Sequence, residues 1–259
     1  MSVPARVKLV ENGPILEITF DHPPANAFDQ RASRDLDAAF GRLCDTPALR
    51  CAIVTASGER IFSAGWDLKA VAAGETGEDF GPNGFMGLRR QFTKPVIAAI
   101  NGLAVGGGFE FALHAHIVIA VPQTEFALPE LQRGFIPEAG GLWRAYRRLP
   151  ASIANELLLT GRRLSAEEGQ RLGFVNRIVP RESLMETARA IAGQICAAAP
   201  LAVEALLEVA RAVEAAPDAA AFKLMYGDLP ARRRMRESDD FLEGPRAFAE
   251  KRPPRWSGR

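Results

Sequence analysis

Apolar positions along this chain follow two different periods. Residues 15–20, 50–55, 95–101 and 116–121 are short runs rich in β-branched side chains, each bounded by Gly, Pro, Asn or Asp, and they predict strands. Between them, residues 29–43 carry Leu36, Phe40 and Leu43 at helical spacing, and residues 107–114 give a short apolar helix directly after a glycine run. Strands alternating with helices predict an α/β class. Beyond residue 153 the strand signal nearly vanishes, and helices are expected over 153–160, 165–172 and 183–199. Pro200 then fits the first position of another helix, where its missing N–H costs nothing, and Leu201 to Val213 continue it with apolar residues every three or four positions. Two units are therefore expected, residues 1–199 and a helical region over 200–259 that packs against another subunit.

Composition narrows the class. A chain of 259 residues with 47% hydrophobic content can bury one sizeable core. Lys plus Arg number 32 against 31 Asp plus Glu, and a formal charge of +1 supplies no field to attract nucleic acid or anionic lipid. Cys44, Cys51 and Cys196 are odd in number and far apart, which argues against a disulfide framework or a structural zinc site and for a reducing, cytoplasmic compartment. No segment has a signal-peptide core or 18 uninterrupted apolar residues, so no membrane partner is expected.

Three segments bear on chemistry. The first, Asn101-Gly-Leu-Ala-Val-Gly106-Gly107-Gly108-Phe109-Glu110, runs from a strand through three glycines into a helix. Unpaired N–H groups at a helix start, approached without a Cβ, stabilise an anion or a developing oxyanion; the same glycines would also serve close helix–strand packing. The dinucleotide spacing G-x-G-x-x-G is absent, because Phe111 stands where the third glycine belongs, and no G-x-x-x-x-G-K-[ST] occurs. His114 and His116, two apart, point to different helix faces without a carboxylate at ligand spacing, so no metal is expected. The second segment is Ser63-Ala64-Gly65-Trp66-Asp67-Leu68-Lys69, a small-residue turn entering a helix. The third, Pro129-Glu130-Leu-Gln-Arg-Gly134-Phe-Ile-Pro137-Glu138-Ala-Gly140-Gly141, sets one carboxylate after a proline and another beside two glycines.

Together these segments resemble the crotonase (enoyl-CoA hydratase/isomerase) family, whose members carry S-A-G-x-D-L, G-G-G-x-E and P-E-x-x-x-G-x-x-P-x-x-G-G in this order. The resemblance continues through Thr160-Gly-Arg-Arg-Leu-Ser, Leu172-Gly-Phe-Val-Asn176, Ala199-Pro-Leu-Ala202 and Gly244-Pro-Arg-Ala-Phe248-Ala-Glu-Lys251, covering nearly the whole chain. It implies a ββα spiral core over residues 1–199 with a C-terminal helical trimerisation region over 200–259, assembled as a homotrimer or a hexamer of paired trimers. Leu201, Leu206, Leu207 and Val209 are the apolar side chains expected to face that assembly.

The resemblance also implies addition or removal of water across the α,β double bond of an enoyl-CoA thioester, with coenzyme A as part of the substrate and no separate cofactor. It assigns the oxyanion hole to the N–H groups of Trp66 and Gly107, and the acid–base pair to Glu110, for water activation, and Glu130, for proton exchange at the α carbon. Ala25, Ala64, Asp67, Leu68 and Lys69 then line the coenzyme A path, with Phe248 and Lys251 closing over its nucleotide end. Isomerases of the family commonly use one carboxylate, so retention of both favours hydration; an RNA-binding relative is disfavoured by the near-zero charge. Residues 63–70, 79–85, 160–163 and 250–259 are closest to a branch that handles a betaine thioester, with departures at Glu138 and over residues 142–148. For a trimethylammonium acyl group the expected partners are Trp66, Trp143 and Glu138.

Overall fold

A computed structural model describes residues 6–76, 80–214, 216, 218–227 and 229–259. Asp79, quoted above within a family-like segment, lies outside the described residues. Ten strands, β1 Val7–Asn12, β2 Ile15–Phe20, β3 Cys51–Ala56, β4 Ile61–Ser63, β5 Val96–Ile100, β6 Leu103–Val105, β7 Ile117–Ala120, β8 Glu125–Ala127, β9 Leu164–Ser165 and β10 Arg177–Ile178, are described. They form a six-stranded sheet in the order β1-β2-β3-β5-β7-β10 and a four-stranded sheet in the order β4-β6-β8-β9.

The chain alternates between these sheets. Each of the pairs β3/β4, β5/β6 and β7/β8 places one strand in the larger sheet and the next in the smaller, and these strands run parallel to one another within each sheet, while β1/β2 and β8/β9 are antiparallel. Helices α1 Gln30–Asp45, α2 Leu68–Ala72, α3 Gly107–His114 and α4 Gly141–Arg148 return the chain between turns. This repetition is the expected ββα spiral. Every residue of β5 is buried, as a strand covered on both faces requires. Alternation across the larger sheet sorts its side chains: Ala52, Val54 and Ala98 join Leu36, Phe40 and Phe111 in the main core, while Cys51, Ile53 and Ile97 face Leu184, Ala188 and Ile191 of a later helix.

The expected helices after residue 150 are α5 Ala151–Thr160, α6 Ala166–Arg171, α7 Leu184–Cys196 and α8 Pro200–Val213. Three more follow, α9 Asp218–Met225, α10 Pro230–Glu237 and α11 Asp239–Ala249. The two-residue strands β9 and β10 interrupt this run, a departure from the nearly strand-free expectation. The C-terminal helices are tied together by polar contacts: Glu208 on α8 accepts from the first N–H groups of α10, at Ala231 and Arg232. Arg211 donates to Phe92 O, in the loop before β5, and Trp256 Nε1 to Ala197 O, at the end of α7, fastening the helical region to the rest of the chain. Leu207 is buried within the chain, so of the four side chains assigned to a subunit interface it belongs instead to intrachain packing; Leu206 is exposed. No single helix among the described residues is long and apolar enough to cross a membrane.

Candidate active site

The small sheet delivers the site. β4 ends at Ser63, whose hydroxyl donates to Asn26 O and accepts from Gly65 N–H. Asn26 is buried with φ of 48° and donates through Nδ2 to Ser57 O and Ile61 O. Ala64 N–H donates to Ala25 O, so the loop bearing Ala25 and the turn bearing Ala64 form one wall. Phe28 N–H donates to Gly65 O and Asp67 N–H to Phe28 O, which leaves the intervening Trp66 N–H free of main-chain partners among the described residues. Gly107, first residue of α3, likewise has none. The two turns touch, since a Cβ on Gly65 would stand 2.6 Å from Gly107 N. Both expected oxyanion donors thus sit at adjacent backbone turns.

Trp66, Gly107, Glu110 and Glu130 line one cavity of about 330 Å³. Glu110 projects from the first turn of α3 and is 4% exposed; its Oε1 accepts from Gly141 N–H at 2.8 Å. Glu130 opens a 3-10 turn after β8, 6% exposed, and its Oε2 has no partner among the described residues. Burial pushes the Glu110 carboxyl up to about 7, opposed by the N–H groups of Gly141 and Ala139 and by the Arg144 guanidinium. Burial, joined by the charge of Glu110, pushes Glu130 up to about 8. Both carboxyls are thus held toward the protonated form, and Glu130, which has the Glu110 charge against its ionisation, lacks the N–H donors from a neighbouring loop that favour the ionised form of Glu110.

The other assigned residues divide into two groups. Ala64 and Leu68 line the cavity, and Asp67 caps α2 through Lys69 N–H; Lys69 itself is exposed. Phe248, 87% exposed on α11, and Lys251, just beyond it with φ of 53°, do not line the cavity of their own chain. The aromatic assignment needs correction. Trp143 is 47% exposed and lines a separate arginine-rich cavity, where Arg144 and Arg147 stack over its ring at 4.4 and 4.6 Å. It does not line the cavity that holds Glu110 and Glu130. The aromatic wall there is Trp66 with Phe80 and Phe85, ring centroids 5.0–6.2 Å apart, and Trp66 Nε1 is anchored on Glu75 Oε1. Glu138 lines both cavities. Phe80 and Phe85 were not assigned to the site, because they belong to no regular strand or long helix; their signal in the sequence was the family-like segment 79–85. No group of three His, Cys, Asp or Glu side chains among the described residues is placed to hold a metal.

Two main-chain N–H groups without main-chain partners among the described residues and two buried carboxyls with raised pKa thus line one cavity of an α/β spiral. The description "Enoyl-CoA hydratase/isomerase" matches residues 10–259, and the chain belongs to that family. It is 51% identical to a carnitinyl-CoA dehydratase of Salmonella typhi over 97% of this chain and 98% of that protein. The solved enoyl-CoA hydratase of Mycobacterium tuberculosis H37Rv superposes with a TM-score of 0.91 at 38% identity, covering 99% of this chain and 100% of that one. The enoyl-CoA hydratase of Bacillus anthracis gives 0.87 at 30% identity over 98% and 100%.

Proposed function

We propose that this protein is an acyl-CoA hydratase or dehydratase. The observation that carries the reading is the placement of two carboxyls with raised pKa, Glu110 and Glu130, in the same cavity as the partner-free Trp66 and Gly107 N–H groups. In hydration, ionised Glu110 takes a proton from water as its oxygen bonds to the β carbon. The π electrons of the double bond move through the α carbon onto the thioester oxygen, where the two N–H groups hold the enolate. The proton of Glu130 is then delivered to the α carbon as the carbonyl re-forms, giving a 3-hydroxyacyl thioester. Glu110 ends protonated and Glu130 ionised, and exchange with solvent resets the pair; dehydration is the reverse. Two carboxylates at one double bond favour this over isomerisation, which moves a single proton without water. Coenzyme A enters as part of the substrate, along the wall of Ala25, Ala64, Asp67, Leu68 and Lys69.

The acyl group this cavity suits is a compact cationic one. Trp66, Phe80 and Phe85 present aromatic surface, and Glu138 adds a negative charge that does not require a donor the quaternary ammonium lacks. Such ring contacts contribute about 0.5 to 2 kcal/mol, so a preference of up to roughly thirtyfold is expected for crotonobetainyl-CoA over crotonyl-CoA. Following absorbance of the conjugated thioester gives kcat/KM for both, in wild type and Glu138→Gln. A preference that shrinks in the mutant supports the betaine reading, and a preference for crotonyl-CoA untouched by the mutation removes it. No turnover of either thioester would sink the hydratase reading itself.

Assembly follows from the same family. We propose that residues 200–259 are the oligomerisation region and that the chain forms trimers, paired into hexamers. Exposed Leu206 and Phe248 support this, since large apolar side chains left in water on a helical face seek burial. Phe248 and Lys251 would then close over a nucleotide bound by a neighbouring subunit. Light scattering at micromolar concentration is expected to give three or six times the 28.0 kDa chain mass, and a monomeric mass refutes it.

A further inference from the structure

Arg144 is a charge that the reaction does not touch. It sits on α4 with 7% exposure, yet it lies outside the lining of the cavity that holds Glu110 and has no ion-paired carboxylate among the described residues. Its guanidinium instead spans two carbonyls: Nη1 donates to Ala139 O at 2.8 Å and Nη2 to Leu88 O at 2.7 Å. The first of these closes the Ala139-Gly140-Gly141 loop, whose Gly141 N–H donates to Glu110 Oε1. Gly140 makes room for it: φ is 102°, and a Cβ there would stand 2.2 Å from Nη1. Two links therefore connect Arg144 to Glu110, one mechanical through the loop and one electrostatic through space.

We propose that Arg144 is a positioning residue that holds the Ala139–Gly141 loop against Glu110 and keeps Glu110, rather than Glu130, the ionised member of the pair. Burial costs the guanidinium stabilisation and holds it below its ordinary range, to about 10, and the nearby Glu110 charge opposes that shift. A desolvated cation with no ion-paired carboxylate among the described residues is retained at a cost, and it faces two carbonyls, the Trp143 ring at 4.4 Å and the Glu110 charge. The charged groups around Glu110 are Glu130 from the turn after β8, Glu138 from the loop before α4 and Arg144 from α4, with Arg89 and Arg133 on the cavity wall. Those around Arg144 are Glu110 and His114 from α3, Arg147 from α4 and Glu214 at the end of α8; His114 is held neutral by burial. Glu130 and Glu138 both oppose ionisation of Glu110, so Arg144 is the one buried cation among these that favours it.

This role rests on the hydratase reading for its consequence, but its test does not. In a 13C NMR titration of the Glu110 carboxyl, assigned with Glu110→Gln, Arg144→Gln keeps a donor for Ala139 O and removes the charge; Arg144→Lys keeps the charge and loses the two-carbonyl fork. The Glu110 midpoint is expected to rise by about one unit in Arg144→Gln and to stay near wild type in Arg144→Lys. The acid limb of kcat should move with it, while KM for the enoyl thioester stays within about twofold, because Arg144 does not line the acyl cavity. A scaffold without electrostatic effect would lower kcat equally at every pH and leave the midpoint unmoved in both variants, which would overturn the proposal. Should Arg144→Gln not fold, Arg144→Met, which also removes the charge, takes its place: a raised Glu110 midpoint supports the proposal and an unmoved one refutes it. If wild-type protein hydrates no thioester but the NMR midpoint still shifts, the functional reading fails and the positioning role stands.

Discussion

Glu110→Gln and Glu130→Gln are each expected to lower hydration of an enoyl-CoA by at least about a hundredfold, the scale of one positioned acid or base. The amide at position 110 can still accept from Gly141 N–H, so the loop geometry is kept while the basicity is lost. The amide at 130 has no acidic proton for the α carbon. Stability should not suffer. Both carboxyls have folded pKa values above the reference of 4.5, so the folded state binds more protons than the unfolded one between that pH and about 8. Each carboxyl therefore destabilises the fold progressively as pH rises through this window, and an amide removes that cost. Thermal unfolding at pH 8 should show an equal or higher Tm, and isothermal titration should show nearly unchanged acyl-CoA affinity. Wild-type turnover in either variant would remove that glutamate from the mechanism.

Gly65→Ala should remove about 10²–10³ in kcat, the loss typical of one oxyanion donor. Gly65 holds φ of 79°, a conformation L side chains rarely adopt, and its added Cβ would meet Gly107 N at 2.6 Å and Val105 O at 3.0 Å. Both contacts are backbone, so neither can swing away. Relief has to come from separating the two turns that bring the Trp66 and Gly107 N–H groups together. Gly58→Ala is the control: φ there is 83°, but nothing lies within 4 Å of the new Cβ. It carries the same kind of backbone strain without the collision, and its kcat should remain within a few-fold of wild type. Equal losses in the two variants would mean that general destabilisation, not donor geometry, limits the reaction.

Much of the scaffold was legible because it depends on local pattern. The strands β2, β3, β5 and β7 are four to six residues of buried, β-branched or small apolar chain, long enough for composition and boundaries to register. Helix α1 announces itself by period, and by Asp29, whose side chain caps it at Ala32 N–H. The second sheet did not register, since β4, β6 and β8 are three residues each and β9 is two, shorter than one cycle of any reliable alternation. Leu207 and Trp143 show a different limit. Period marks an apolar face but not which neighbour covers it: Leu207 is buried within its own chain, on a helix that packs against α10, while two guanidiniums take Trp143.

By itself, the sequence determined the longer strands of the larger sheet, the longer helices and the glycine turns between them, because each is written within a dozen residues; the two glutamates stood out through their family-like motifs. The tertiary structure alone decided that Glu110 and Glu130 share one cavity, that Phe80 and Phe85 rather than Trp143 wall it, and that Arg144 stands behind Glu110. These depend on segments far apart in the chain meeting at a shared distance and dielectric. A carboxylate's pKa is a property of everything that surrounds it, and its surroundings exist only once the spiral has closed.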